Sequence, residues 1–103
     1  MKSKFKDEQI DYLFRSIMTL DTLEECYNFF EDLCTMSELQ EMAKRMHAAK
    51  MLRENYIYTE IAEKTGLSTA TISRVNRCMK YGSDGYITVI ERMERRRRNG
   101  GAE

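Results

Sequence analysis

Apolar residues recur every three or four positions along most of the chain, which is the spacing typical of amphipathic helices. The first stripe predicts a helix over about residues 7–19 and consists of Ile10, Leu13, Phe14, Ile17 and Leu20. The later stripes are Leu23, Cys26, Tyr27, Phe30 and Leu33; Leu39, Met42, Met46 and Ala49; and Tyr86, Val89, Ile90 and Met93. With two shorter helices around Gly66, this pattern predicts a six-helix, all-α fold without strands.

Capping residues predict where four of these helices begin. Asp21 with Glu24, and Ser37 with Gln40, have the spacing of a capping box and are expected to open the second and third helices. Thr59 and Ser68 are expected to cap the two shorter helices.

Residues 58–79 have the pattern of a helix-turn-helix. Gly66 can adopt the positive φ that ends the first helix, and Ser68 can cap the second. Ala62 is small where the two helices approach each other. Ile72 and Val75 lie one turn apart and are expected to pack against Ile61 of the first helix and Leu67 of the turn. The alternative interpretation is an ordinary helical hairpin in a core. Such a hairpin would not require the glycine, the small residue and the apolar spacing to occur together.

The second helix of the motif carries the candidate DNA-binding residues. Arg74, Arg77 and Lys80 recur at three-residue intervals and so share one side of the helix, where they can neutralise phosphates. The small residues near its N-terminus would permit close approach to the major groove. The full predicted set is Ser68, Thr69, Ala70, Thr71, Ser73, Arg74, Asn76, Arg77 and Lys80.

Charge is divided along the chain although the net charge is zero. Residues 1–65 contain 9 Lys/Arg and 13 Asp/Glu, whereas residues 66–98 contain 8 and 3. A DNA-binding protein needs a basic face rather than a basic total, and here the basic segment begins at the motif. Arg95 to Arg98 extend it, either as an auxiliary phosphate-binding segment or as a solvated helix end favoured by the helix dipole.

The length of 103 residues predicts one domain, residues 1–98, followed by a disordered tail at 99–103. No apolar run approaches the roughly 18 residues of a membrane span, so we expect a cytoplasmic protein with no membrane partner. Cys26, Cys34 and Cys78 could form a metal site with His47, but their spacing does not encode one. They are therefore expected to be buried free thiols, with no metal and no cofactor. The large apolar residues of the first three helices exceed what a small monomer would cover, which favours a homodimer over a monomeric core.

Several motifs of the chain resemble the Trp repressor superfamily, and within it the YerC/YecD-type Trp-repressor-like proteins. The resemblance covers about residues 10–93 and is most specific at Thr35-Met36-Ser37-Glu38 with Arg45, and at Ala70-Thr71-Ile72-Ser73-Arg74. It implies an intertwined all-helical homodimer that regulates transcription, in a repressor-like manner, by binding double-stranded operator DNA.

The same resemblance implies a possible effector pocket formed by Thr35, Arg45, Arg74, Val75 and Cys78. In tryptophan-responsive members two arginines hold the indole, and Arg45 and Arg74 match them. Val75 stands where the family has a glycine and Cys78 where it has a serine, so L-tryptophan is not the expected effector; another small molecule, or none, would act. Arg45 could instead pair with Glu41, and Arg74 could simply contact phosphate.

The chain has no nucleophile–base arrangement, no phosphate-binding glycine loop and a single histidine, which does not favour an enzyme. The sequence therefore predicts a sequence-specific DNA-binding regulator. The alternative is a non-enzymatic adaptor that uses the helix-turn-helix as a scaffold for protein interaction, and the basic row on the second helix argues against it.

Overall fold

A computed structural model describes residues 7–100 of the chain and contains six α-helices in that range, with no β-strand. The helices are α1 (Glu8–Ile17), α2 (Leu23–Leu33), α3 (Met36–Arg53), α4 (Tyr58–Thr65), α5 (Thr69–Tyr81) and α6 (Gly85–Arg98). The all-α, six-helix prediction is confirmed. The described residues fall into two compact units, one ending at Ser37 and the other beginning at Glu38.

The first unit contains α1 and α2, and neither helix has a buried residue. Their apolar faces are nevertheless well defined by sequence. Phe14 is 56% exposed, Tyr27 is 58% exposed and Leu33 is 49% exposed. An amphipathic helix is stabilised mainly when its apolar face is covered, so these two helices leave an unsatisfied requirement for burial.

The second unit contains two apolar clusters. In the first cluster, Ile61 of α4 and Ile72 of α5 are fully buried and pack with Leu67 of the turn and with Ala48 and Met51 of α3. In the second cluster, Ala49, Val75 and Ile90 join α3, α5 and α6. Ile72 thus packs on Ile61 and Leu67 as predicted, whereas Val75 faces the other cluster.

Helix α3 contributes to both clusters, and this explains why its hydrophobic pattern is weak. Ala48 and Met51 lie in the first cluster, while the neighbouring Ala49 lies in the second. Successive residues of a helix are about 100° apart around the axis, so buried residues in adjacent positions require burial on two sides. The single stripe predicted for this helix included Ala49 but not Ala48 or Met51.

Three of the predicted caps are wrong by one or two residues. Thr22, and not Asp21, caps α2: its side chain accepts from the Glu25 amide, and the Glu25 carboxylate accepts from the Asp21 amide. Helix α3 begins at Met36, so Ser37 is already helical. Helix α4 begins one residue before Thr59, and the Glu60 carboxylate accepts from the Ile57 amide at 3.1 Å.

Helix α6 is held by ion pairs as well as by its apolar face. The Arg53 guanidinium at the end of α3 lies 3.1 Å from a Glu91 carboxylate oxygen and 3.7 Å from one of Glu94. Arg95 to Arg98 are all exposed at the end of α6, and Asn99 follows as its C-cap. The predicted disordered tail, residues 99–103, lies partly outside the described residues and stays a prediction, as does the single domain over residues 1–98.

The prediction of buried cysteines is wrong. Cys78 is exposed, and Cys26 and Cys34 are half-buried. All three are free thiols, as expected from their odd number and spacing.

Candidate nucleic-acid interface

The turn between α4 and α5 is fixed by hydrogen bonds on both sides of Gly66. Gly66 has φ +80°, a conformation that L side chains rarely adopt, and its amide donates to the carbonyl of Ala62. The buried Thr65 hydroxyl donates to the Ile61 carbonyl at 2.8 Å and accepts from the Leu67 amide at 3.2 Å. The turn is therefore a rigid connection between two short helices, as the sequence predicted for a helix-turn-helix.

The N-terminus of α5 is organised by a chain of three polar side chains. The Ser68 hydroxyl accepts from the Thr71 amide at 3.1 Å, which confirms Ser68 as the N-cap. The same hydroxyl donates to Thr71 Oγ1, and Arg74 donates to Thr71 Oγ1 at 3.3 Å. These contacts fold the Arg74 side chain back along the helix, so its charge adds to the positive end of the helix dipole.

The predicted DNA-binding residues all lie on α5 or at its cap, and they differ in exposure. Six are exposed: Ser68, Thr69, Ala70, Arg74, Arg77 and Lys80. Thr71, Ser73 and Asn76 are half-buried. None of the ion pairs formed among residues 7–100 involves the three basic side chains of this set, so their charges remain available to a ligand.

Asn76 makes a contact that the sequence did not reveal. Its side-chain Nδ2 donates to the Tyr58 hydroxyl at 3.0 Å, across the two helices of the motif. Tyr58 is the first residue of α4, and its ring packs against the first apolar cluster. No local pattern could have indicated this pair, because the two residues are 18 positions apart.

The predicted effector-pocket residues occupy varied environments. Arg45 lies 3.6 Å from Glu41, the pairing that the sequence offered as the alternative to a ligand role. Val75 is only 3% exposed and belongs to the second apolar cluster, whereas Cys78 is exposed. Thr35 is exposed and belongs to the first unit. The side chain of Val75 thus fills core space.

A groove of about 420 Å³ lies between α3 and α6, on residues that the sequence did not single out for ligand binding. Its floor is apolar and its rim is charged. The lining residues are Ala43, Met46, His47, Lys50, Glu54, Ile90, Met93, Glu94 and Arg97. None of the predicted effector-pocket residues contributes to it.

Residues 7–100 contain no candidate for a metal centre or for a membrane span. No group of three or more His, Cys, Asp or Glu side chains in this range could hold a metal ion. None of its helices is long and apolar enough to cross a membrane.

The fold and this motif define the chain as an all-α helix-turn-helix protein. The family model described as Trp repressor protein matches residues 8–94. A protein of Bacillus subtilis (strain 168), called uncharacterized protein YerC, is 50% identical over 91 residues, which are 88% of each chain.

Solved structures agree with this match. A TrpR-like protein from Eubacterium eligens ATCC 27750 has a TM-score of 0.84 and 53% identity, covering 88% of this chain and 94% of that one. A structure from Staphylococcus aureus has a TM-score of 0.84 and 45% identity, covering 88% and 91%. The chain belongs to the Trp repressor family, as the sequence motifs predicted. Membership suggests a DNA-binding regulator from a non-enzymatic family.

Proposed function

We propose that this protein is a sequence-specific, repressor-like transcriptional regulator that binds double-stranded DNA through α4 and α5. The observation that carries the proposal is the exposed face of α5: an N-terminus with small side chains, followed by an ion-pair-free basic row of Arg74, Arg77 and Lys80. This face is supported from behind by Ile72, which is fully buried.

Binding would use two parts of this face. The N-terminal amides of α5, together with the short side chains of Thr69 and Ala70, can approach phosphates and base edges closely in the major groove. The basic row can neutralise phosphates, releasing counterions, so affinity should fall as salt rises. The short side chains of Thr69, Ala70, Thr71 and Ser73 are not bidentate base readers, so specificity would depend on Arg74 and also on water and DNA shape.

We also propose that the regulator is an intertwined homodimer. Its support is the uncovered apolar surface of α1 and α2, where Phe14 and Tyr27 are more than half exposed, and the apolar floor of the groove between α3 and α6. Charge favours the same association: residues 7–37 carry eight Asp/Glu and one Arg, and residues 38–100 carry 13 Lys/Arg and eight Asp/Glu. Two-fold symmetry would place two motifs about one DNA turn apart.

We infer that L-tryptophan is not the effector, and that another small molecule or none is used. The inference is supported by Val75, whose buried side chain occupies space beside Ala49 and Ile90, and by the weak hydrogen-bonding capacity of Cys78. Isothermal titration calorimetry with L-tryptophan tests it. We expect no heat of binding, and a dissociation constant of tens of micromolar or tighter would contradict it.

A mobility-shift assay with genomic DNA fragments, repeated over a salt series, tests the main proposal. We expect selective binding whose affinity declines steadily with salt. Binding without sequence preference and without salt dependence would overturn the proposal. It would favour the alternative function, an adaptor that uses the helix-turn-helix for protein interaction, and a pull-down with the same chain would then test that alternative.

Arg74→Ala provides the sharpest variant for this assay. We expect a loss of roughly 1–3 kcal/mol in binding free energy if Arg74 contacts a base, with relaxed preference at one position. Arg92→Ala is the matched control, because it removes the same charge from an exposed position of α6 that forms no ion pair among residues 7–100. Equal small effects from both variants would show that Arg74 acts only through general charge.

A further inference from the structure

The motif contains one tyrosine whose position and partner set it apart from the predicted DNA-binding residues. Tyr58 opens α4, and its hydroxyl accepts a hydrogen bond from Asn76 Nδ2 at 3.0 Å. Among the described residues this is the side-chain hydrogen bond that links α4 directly to α5. The Tyr58 ring packs on the first apolar cluster, so the phenol is held at both its ring and its oxygen.

The direction of this hydrogen bond determines whether the Tyr58 hydroxyl can donate a second one. Because the amide nitrogen supplies the proton, the Tyr58 oxygen acts as the acceptor and its own O–H remains available to donate elsewhere. Tyr58 is half-buried and is therefore partly exposed to solvent. The first helix of a helix-turn-helix crosses the DNA backbone when the second enters the groove, and phosphate oxygens would then be the acceptors near the start of α4.

The assignment of Asn76 changes with this geometry. An asparagine that reads adenine uses one amide N–H and the amide oxygen, and its side chain must project into the groove. Asn76 is half-buried and one of its amide N–H groups is engaged with Tyr58, so its amide group is held against α4. The neighbouring Arg77 is exposed and has no such constraint.

We propose that Tyr58 is a phosphate-binding residue of the interface and that Asn76 is its positioning residue, not a base reader. This rests on the proposed function, because it requires the motif to dock on DNA. The hydroxyl contributes a directed neutral hydrogen bond, whereas the basic row contributes charge.

The two contributions can be separated experimentally. Tyr58→Phe keeps the ring in the apolar cluster and removes only the hydroxyl, and Asn76→Ala removes its partner. We expect each variant to bind a selected DNA fragment about five- to tenfold more weakly than wild type, and the double variant to be no weaker than the weaker single one. The slope of affinity against salt should not change, because no charge is lost.

A scan of the DNA backbone gives a result that a purely structural role would not produce. Neutral methylphosphonates are substituted one position at a time in the fragment. We expect one position at which the substitution weakens wild-type binding but not Tyr58→Phe binding. Tyr86→Phe, which removes a hydroxyl from α6 outside the motif, is the matched control and should bind as wild type does. Thermal unfolding of every variant is measured in parallel.

Each contrary outcome has a distinct meaning. If wild type binds with a salt slope but Tyr58→Phe binds equally well, the phosphate role is overturned while the proposed function stands. If Asn76→Ala changes the preferred base at one position, Asn76 is a base reader and the positioning role is overturned. If no methylphosphonate position distinguishes wild type from Tyr58→Phe, the contact is absent. If wild type binds no fragment, the proposed function and this assignment fail together.

Discussion

Helices α1 and α2 have clear apolar faces but bury no residue, whereas α4 and α5, which are no more apolar, enclose fully buried Ile61 and Ile72 with the help of α3. An amphipathic pattern therefore predicts that one face of a helix is buried, but it does not predict which part of the protein packs against that face. In the second unit the cover comes from within the same stretch of chain. In the first unit, by our proposal, it comes from a second copy. The predictions below test this contrast.

The largest effect is expected in the core of the motif. Ile72→Ala removes a fully buried side chain from the first cluster and should lower the free energy of unfolding by about 2–5 kcal/mol, measured by urea denaturation. Met18 lies at the end of α1, and its apolar side chain is 81% exposed. Met18→Ala should therefore change the free energy of unfolding by no more than about 0.5 kcal/mol. Similar losses in both variants would contradict the contrast between the units.

A smaller effect is expected when the uncovered face is altered. Phe14→Ala should weaken self-association by about 1–2 kcal/mol for each copy, because the side chain is 56% exposed in the isolated chain and would be covered in the dimer. Sedimentation equilibrium over a concentration series measures this. Gln9→Ala, on the exposed polar side of α1, is the control. If the wild type is a monomer, or if Phe14→Ala leaves the dissociation constant of the dimer unchanged, then α1 does not belong to a dimer interface.

The smallest effect comes from two equivalent helix caps, one in each unit. Ser68→Ala and Thr22→Ala should each lower the free energy of unfolding by about 1 kcal/mol, since each removes a hydroxyl that accepts from a backbone amide. Only Ser68→Ala should also weaken DNA binding in the mobility-shift assay, because Ser68 belongs to the proposed interface. Equal losses of DNA affinity would mean that binding merely follows stability.

Local signals made part of this structure predictable. Gly66 and Ser68 were recognisable because a left-handed turn residue and a hydroxyl cap act within a few positions of themselves. The packing of Ile72 against Ile61 and Leu67 was predictable because these residues flank one turn, and it accounts for only part of the first cluster. The cap of α2 was missed by one residue because Asp21-Thr22-Leu23-Glu24-Glu25 contains two overlapping capping boxes. Sequence alone does not distinguish them.

Other features depended on contacts distant in sequence. Helix α3 is buried on two sides, so the single stripe predicted for it did not include Ala48 or Met51. The hydrogen bond between Tyr58 and Asn76 joins residues on different helices, and it placed Asn76 in a role that its residue type did not suggest. The exposure of Cys78 was missed because an isolated cysteine carries no periodic signal.

Helix α5 separates its supporting residues from its exposed ones, and this has a consequence for how the protein could change over time. Ile72 and Val75 belong to the two clusters, while Thr69, Ala70 and Arg77 are exposed. Under the proposed function, new operator preferences could arise by substitution at the exposed positions at almost no cost to folding. For the same reason, variants with altered DNA-sequence preference could be selected from a library in which only the codons for the exposed positions of α5 are varied.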